Sequence, residues 1–207
     1  GFTSTLTNGD TLAVQQVVFA VPPRIAVEID FSPALPPNAV ASMKNVPTWM
    51  AGQAEAVAVY DRAFWRDEKL SGAAMSRLGL MVEIHDASSA TGGAFAFFGF
   101  IGVPTQGRSD EQGLRQQLQK QLTHLFGAEA AEPKQLFIKD WAFNPQTSTD
   151  ADRKPLSMHP AHGTPRALRG LLGDTLQFAG TEFAPQFWGF IEGALESAEN
   201  VPKTLEA

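Results

Sequence analysis

Apolar residues recur at helical spacing most clearly between residues 109 and 126. Leu114, Leu118, Leu122 and Leu125 make one stripe there, which predicts an amphipathic helix with a buried face. Ser109 is placed to cap it with Gln112 as capping-box partner, and Gly127 supplies the stop. Elsewhere the pattern shortens. Residues 53–60, 80–85 and 94–103 read as strands, with a turn at Gly92-Gly93, and are expected to be antiparallel neighbours. Residues 135–141 and 175–179 read as further strands. Residues 11–21 are rich in Val and Phe, and Asn8-Gly9-Asp10 predicts a hairpin with residues 3–6. Pro22-Pro23 ends regular pairing. Residues 25–29 alternate weakly, residues 38–46 predict a short helix after Pro37, and residues 188–199 a last helix. The polar stretch 144–165 is long for a loop, and such loops are usually functional.

Composition narrows this picture. The chain has 207 residues, 43% hydrophobic and 18% charged, enough for one sizeable core or one domain plus a piece of another. A formal charge of −6 and no basic patch argue against a nucleic-acid partner. The longest apolar run, residues 92–103, is too short to span a bilayer, so no membrane partner is expected. Cysteine is absent, which excludes disulfides, thiolate metal sites and a cysteinyl cofactor link, and is compatible with a cytoplasmic location. Gly1 rather than Met at the start points to a processed or cut chain. His159 and His162 lie three apart, but Pro160 disfavours a shared helix face and no carboxylate ligand set accompanies them; no metal site is expected. The expected fold is α/β (α+β), with a mixed, largely antiparallel sheet and helices on one face.

The candidate chemistry lies near the C-terminus. Phe178-Ala179-Gly180-Thr181-Glu182, then Trp188-Gly189-Phe190-Ile191-Glu192-Gly193, reads as strand, turn, loop and helix start. That order can bring backbone N–H groups and a positive helix end against an electron-rich ligand. This block resembles the last segment of the flavin-dependent amine oxidases. Val17 to Pro23, Phe64-Trp65-Arg66, Gly99-Phe100-Ile101-Gly102 and Asp140-Trp141-Ala142 are similar to other segments of that family, in the same order along nearly the whole chain. The match is to its C-terminal half. The G-x-G-x-x-G loop that cradles the cofactor pyrophosphate in the other half does not occur here.

The resemblance implies a substrate-binding domain at residues 23–175, with 1–22 and 176–207 belonging to a flavin-binding domain. It implies that Gly180, Thr181, Glu182, Phe190 and the N–H of Ile191 face FAD. The FAD would be noncovalent, and held weakly or not at all by this chain alone. Phe190 matches a Tyr that walls the amine site, although a plainer reading puts it in the core with Ala194 and Leu195. The facing wall, counted forward from Trp141, falls at Ala151, and Asp150 stands where some members attach flavin through Cys. Counting back from Phe64, Glu55 stands at the family's lysine, which assists reoxidation by oxygen; the plainer reading is an outward-facing strand residue. The implied partners are a small-molecule amine and an N-terminal FAD-binding half, in cis or in trans. Left alone, the two ends are expected to pack together, form a homodimer or stay partly disordered. Glu55, Ala151 and the missing fingerprint also fit a noncatalytic binding or assembly module. A related amino-acid oxidase or desaturase is a further alternative, with Arg153, Arg166 and Arg169 available for a substrate carboxylate.

Overall fold

The computed structural model describes residues 1–205 except 155, 157, 161, 162 and 174. His162 therefore lies outside the described residues. Contacts divide the chain into two compact units, residues 1–51 with 144–207, and residues 52–143. Both boundaries lie inside the 23–175 stretch.

The 52–143 unit contains strands β4 (Ala54–Tyr60), β5 (Ala74–Met75), β6 (Met81–Asp86), β7 (Phe95–Ile101) and β8 (Gln135–Asp140), with helices α3 (Phe64–Asp67) and α4 (Glu111–Phe126). The strands form one sheet in the order β5-β6-β7-β4-β8, and every pairing is antiparallel. The expected neighbours β6, β7 and β4 are adjacent, and the main sheet is antiparallel throughout rather than mixed.

Alternation along β4 explains the packing. Ala54, Ala56, Ala58 and Tyr60 are buried in one core with Leu114, Leu118, Leu122 and Phe126 of α4. Short alanine side chains leave room for the leucine stripe to sit close to the sheet. The opposite face carries Glu55, Val57 and Val59, all half-buried. A bulge at Val82 shifts the register of β6 against β7, so that Glu83 pairs with Phe100 and His85 with Phe98. The cap of α4 is Asp110 rather than Ser109: Asp110 Oδ1 accepts the N–H of Gly113 at 2.9 Å. A carboxylate at this position satisfies an orphan donor and also complements the positive helix end. On the edge strand β8, the Arg115 guanidinium donates to the carbonyl of Leu136.

Two arginines fasten this unit. Arg108 is buried; its Nη2 donates to the Gly52 carbonyl at 2.9 Å, and its Nε lies 3.2 Å from Asp140 Oδ2 without hydrogen-bond geometry. Burial pushes its guanidinium pKa down and the Asp140 charge opposes that. Asp86 holds the Phe-Trp-Arg segment: its Oδ2 accepts from Trp65 Nε1 at 2.9 Å and from Arg66 Nε and Nη2 at 2.9 and 2.8 Å.

The other unit contains β1 (Phe2–Thr5), β2 (Thr11–Val14), β3 (Val17–Phe19), α1 (Pro23–Ala26), α2 (Pro37–Lys44), β9 (Leu176–Phe178) and α5 (Ile191–Leu205). The predicted hairpin is present, with Phe2 opposite Val14 and Thr5 opposite Thr11. The expected strand 11–21 is broken in two. β3 turns to pair in parallel with β9, Val17 opposite Leu176 and Phe19 opposite Phe178. The weak alternation at 25–29 gives no strand. Pro23 at the first helical position favours a helical turn, which buries Ala26. The core joins Ala26, Leu35, Ala39 and Met43 to Leu168, Leu176, Phe178 and Phe183.

Burial raises the pKa of Asp86, but hydrogen bonds from Ser88, Trp65 and Arg66 outweigh it and bring the carboxyl down to about 2. Its stabilising contribution is thus complete above the unfolded value near 3.8 and is lost as pH falls through the folded value. Asp86→Ala is expected to cost about 1–3 kcal/mol in urea unfolding at neutral pH, because it leaves the Trp65 and Arg66 donors unpaired. The cost should fade as pH approaches 2.

Candidate functional site at the strand-turn-helix segment

The turn after β9 lies directly on the first turn of α5. Gly180 has φ 112°, a backbone region that side chains other than glycine rarely enter. A single helical turn, Thr181–Phe183, follows. The Thr181 hydroxyl donates to the Phe190 carbonyl at 2.8 Å. A Cβ on Gly193 would collide with the Phe187 carbonyl and come within 2.9 Å of Thr181 Oγ1, so this close approach requires glycine there. At the helix start, the N–H groups of Gly193 and Ala194 reach the Phe190 carbonyl at 3.1 and 3.3 Å. The structure therefore brings Gly180, Thr181, Glu182, Phe190 and Ile191 into one neighbourhood.

Their exposures differ. Ile191 is 85% exposed and Phe190 59%, while Leu195 is 56% exposed, so the plainer reading of a core Phe190 fails. Trp188, expected inside the last helix, precedes it and is buried. Glu182 is also buried. Burial pushes the Glu182 carboxyl up; a hydrogen bond to its own backbone offsets part of this, and the negative Asp152 adds to the rise.

Asp152 was missed by sequence reasoning, although it adjoins Ala151. Its side chain is 1% exposed. Oδ1 accepts from the Arg24 guanidinium and, at 3.3 Å, from the N–H of Thr48. Oδ2 accepts from the N–H and hydroxyl of Thr149 at 3.0 and 2.8 Å. Arg24 Nε donates in turn to the Lys44 carbonyl at 2.9 Å. The alternation that marks strands says nothing of such a pair, because its members lie 128 positions apart.

Ala151 is exposed and carries no ring. The ring beside Phe190 is His159, nearly parallel to it at 18° with centroids 6.1 Å apart. Trp49 and Trp188 complete the group, at 4.8 and 5.0 Å from the His159 ring. The histidine-containing stretch 159–163 was the available signal for this. Asp150 is exposed and paired with Arg153 at 2.8 Å. Arg169 donates to the Thr164 carbonyl at 3.1 and 2.9 Å. A cavity of about 360 Å³ beside Arg169, Gln177, Ser197 and Asn200 includes, of the binding residues singled out in the sequence, only Arg169. Glu55 belongs to the 52–143 unit, on the sheet face away from α4. Among the described residues no group of three or more His, Asp or Glu forms a metal site, and no helix is long and apolar enough to cross a membrane.

The chain as a whole has counterparts among known proteins. A family model described as flavin containing amine oxidoreductase matches residues 1–201. A probable flavin-containing monoamine oxidase A of Dictyostelium discoideum is 29% identical over 202 residues, 96% of this chain and 43% of that protein. An L-amino acid dehydrogenase of Synechocystis is 29% identical over 193 residues, 91% of this chain and 40% of that protein. The solved cyclohexylamine oxidase from Brevibacterium oxydans superposes with a TM-score of 0.74 at 27% identity, covering 96% of this chain and 45% of that one. The chain belongs to the flavin containing amine oxidoreductase family. It spans less than half the length of these relatives.

Asp152→Ala leaves the Arg24 charge unpaired and mostly buried, and is expected to cost about 3–5 kcal/mol in urea unfolding. Glu182 has the opposite sign. The unfolded carboxyl returns to its ordinary value of 4.5, so above it the unfolded chain holds fewer protons and stability falls as pH rises toward the raised folded value. Glu182→Gln should therefore melt higher than wild type at about pH 8, and the gain should vanish at about pH 4.

Proposed function

We propose that this chain is the C-terminal, substrate-binding portion of an FAD-dependent amine oxidoreductase and works with an N-terminal dinucleotide-binding half, in cis or as a separate chain. The observation that carries this reading is the packing of the Gly180 turn on the first turn of α5, fixed by Thr181 and the bare Gly193. It sets side by side the two segments that meet a flavin in this family, with Phe190 and Ile191 exposed and Gly180 and Thr181 half-buried.

The residues fit the cofactor in kind. Gly180 offers backbone without a side chain in the way, and Ile191 is the first residue of α5. Gly180, Thr181 and the Ile191 N–H would hold the ring noncovalently, and the positive helix end would favour negative charge on it. When bound, the flavin supplies the acceptor for a hydride leaving the carbon next to the amine nitrogen, and the resulting imine hydrolyses in water. Phe190 offers its exposed ring as an apolar wall that orients the amine, and His159 rather than Ala151 supplies the ring beside it. Stretches 1–22 and 176–207 belong to the flavin-binding domain in this reading. The parallel pairing of β3 with β9 supports it, because parallel sheets of two strands rarely stand without further strands.

Co-expression with an N-terminal half of a family member should give a complex that keeps flavin absorbance bands through gel filtration. Gly180→Val should lose them while the two halves still co-purify. A wild-type complex that forms without flavin would overturn the proposal.

A further inference from the structure

The cavity of about 360 Å³ is built wholly within the discontinuous unit. β9 contributes Phe178 to it, the turn after β9 Phe183, α5 Ser197 and Asn200, and the stretch 163–170 Leu168 and Arg169. Gly180, Thr181, Phe190 and Ile191 do not line it. Its walls divide by chemistry. Leu168, Phe178 and Phe183 are buried, and the two phenyl rings lie 5.1 Å apart at 37° to each other. Ser197 is 4% exposed, and its side chain has no hydrogen bond among the described residues. A serine inside a helix usually turns its hydroxyl to a carbonyl of the preceding turn or to solvent. A buried hydroxyl without either is a donor in want of a partner.

Arg169 is the one charged lining residue among those described. Its Nε and Nη2 both donate to the Thr164 carbonyl, at 3.1 and 2.9 Å, which holds the guanidinium at a fixed angle. A guanidinium carries five N–H donors, so others remain. No carboxylate pairs with it among the described residues. Glu196, on the same helix as Ser197, is engaged by the N–H groups of Gln186 and Phe187.

An unpaired guanidinium favours an anion, and a planar carboxylate matches its fork. The apolar wall favours a flat hydrocarbon body, which two aromatic rings receive better than an alkyl chain. A polar atom on that body would satisfy Ser197. Small-molecule sites usually measure about 300–1,000 Å³ and combine an apolar lining with a few placed polar groups, and this cavity is of that kind. We propose that it is a binding site for a small aromatic carboxylate. The carboxylate meets Arg169, the ring lies against Phe178 and Phe183, and a polar substituent meets Ser197. The site is separate from the surface assigned to flavin and amine, and the inference does not rest on that assignment.

The test is calorimetric titration of the full chain with 4-hydroxybenzoate and with its uncharged analogue 4-hydroxybenzamide. Wild type is compared with Arg169→Gln, Arg169→Lys, Ser197→Ala and the exposed control Arg77→Gln, each first shown to be folded by its melting curve. Wild type should bind the acid about tenfold more tightly than the amide. Arg169→Gln should remove that preference. Arg169→Lys keeps the charge but not the fork, and should retain part of it. Ser197→Ala should weaken the acid several-fold yet melt no lower than wild type, because it deletes a hydroxyl that has no partner. Arg77→Gln should change nothing. No binding of the acid by wild type, equal affinity for acid and amide, or equal losses from Arg169→Gln and Arg77→Gln would overturn the proposal. An acid affinity unchanged by Ser197→Ala would do the same. The readout needs neither flavin nor a second half, so its failure is distinct from failure of the flavin complex to form.

Discussion

One buried ion pair holds the discontinuous unit to a single geometry. Asp152 takes four donors on two oxygens, from Arg24, from the Thr48 N–H, and twice from Thr149. Such a pair gains little stability over a well-packed apolar contact, because both ions give up hydration. Its value lies in direction. Arg24 also holds the Lys44 carbonyl at the end of α2, so one carboxylate fixes α1, the segment after α2 and the loop at Thr149 together. Glu182 lies close enough to feel the Asp152 charge. The turn that carries Gly180 and Thr181 is held separately, by the Thr181 hydroxyl on the Phe190 carbonyl at the start of α5.

The 52–143 unit solves a different problem. Four buried small or aromatic residues on β4 give a thin, regular surface for α4, and the bulge at Val82 keeps Met81 and Ile84 in the core while turning Glu83 and His85 to the other side. The sheet thus has one face committed to packing and another on which charged and aromatic residues alternate by register. The same pleat that buries Ala54 and Ala56 sets Glu55 opposite them.

Local periodicity carried much of this fold. The leucine stripe of α4, the glycine stop at 127 and the alternation of β4, β6 and β7 were readable because each depends on neighbours a few residues away. The turn of the first hairpin was readable for the same reason. What escaped was non-local or geometric. The parallel partner of β3 lies near the other end of the chain, and the alternation at 25–29 gave way to a proline-started helical turn. The bulge at Val82 leaves no mark in an apolar run. At the candidate site, the strand-turn-helix order was legible, but counting along the loop from Trp141 led to Ala151, whereas the ring beside Phe190 comes from His159, eight positions on. A loop with several prolines does not keep count.

The pairing of β3 with β9 joins Val17 to Leu176 across the whole of an intervening unit. The core that holds Ala26, Leu35, Ala39 and Met43 is completed by Leu168, Leu176, Phe178 and Phe183, which follow the intervening unit in sequence. The 52–143 unit, built on antiparallel neighbours, has all its strand partners within its own stretch. One unit is thus continuous in sequence, while the other can close its core only by joining segments more than ninety positions apart, and so carries the larger loop-closure cost.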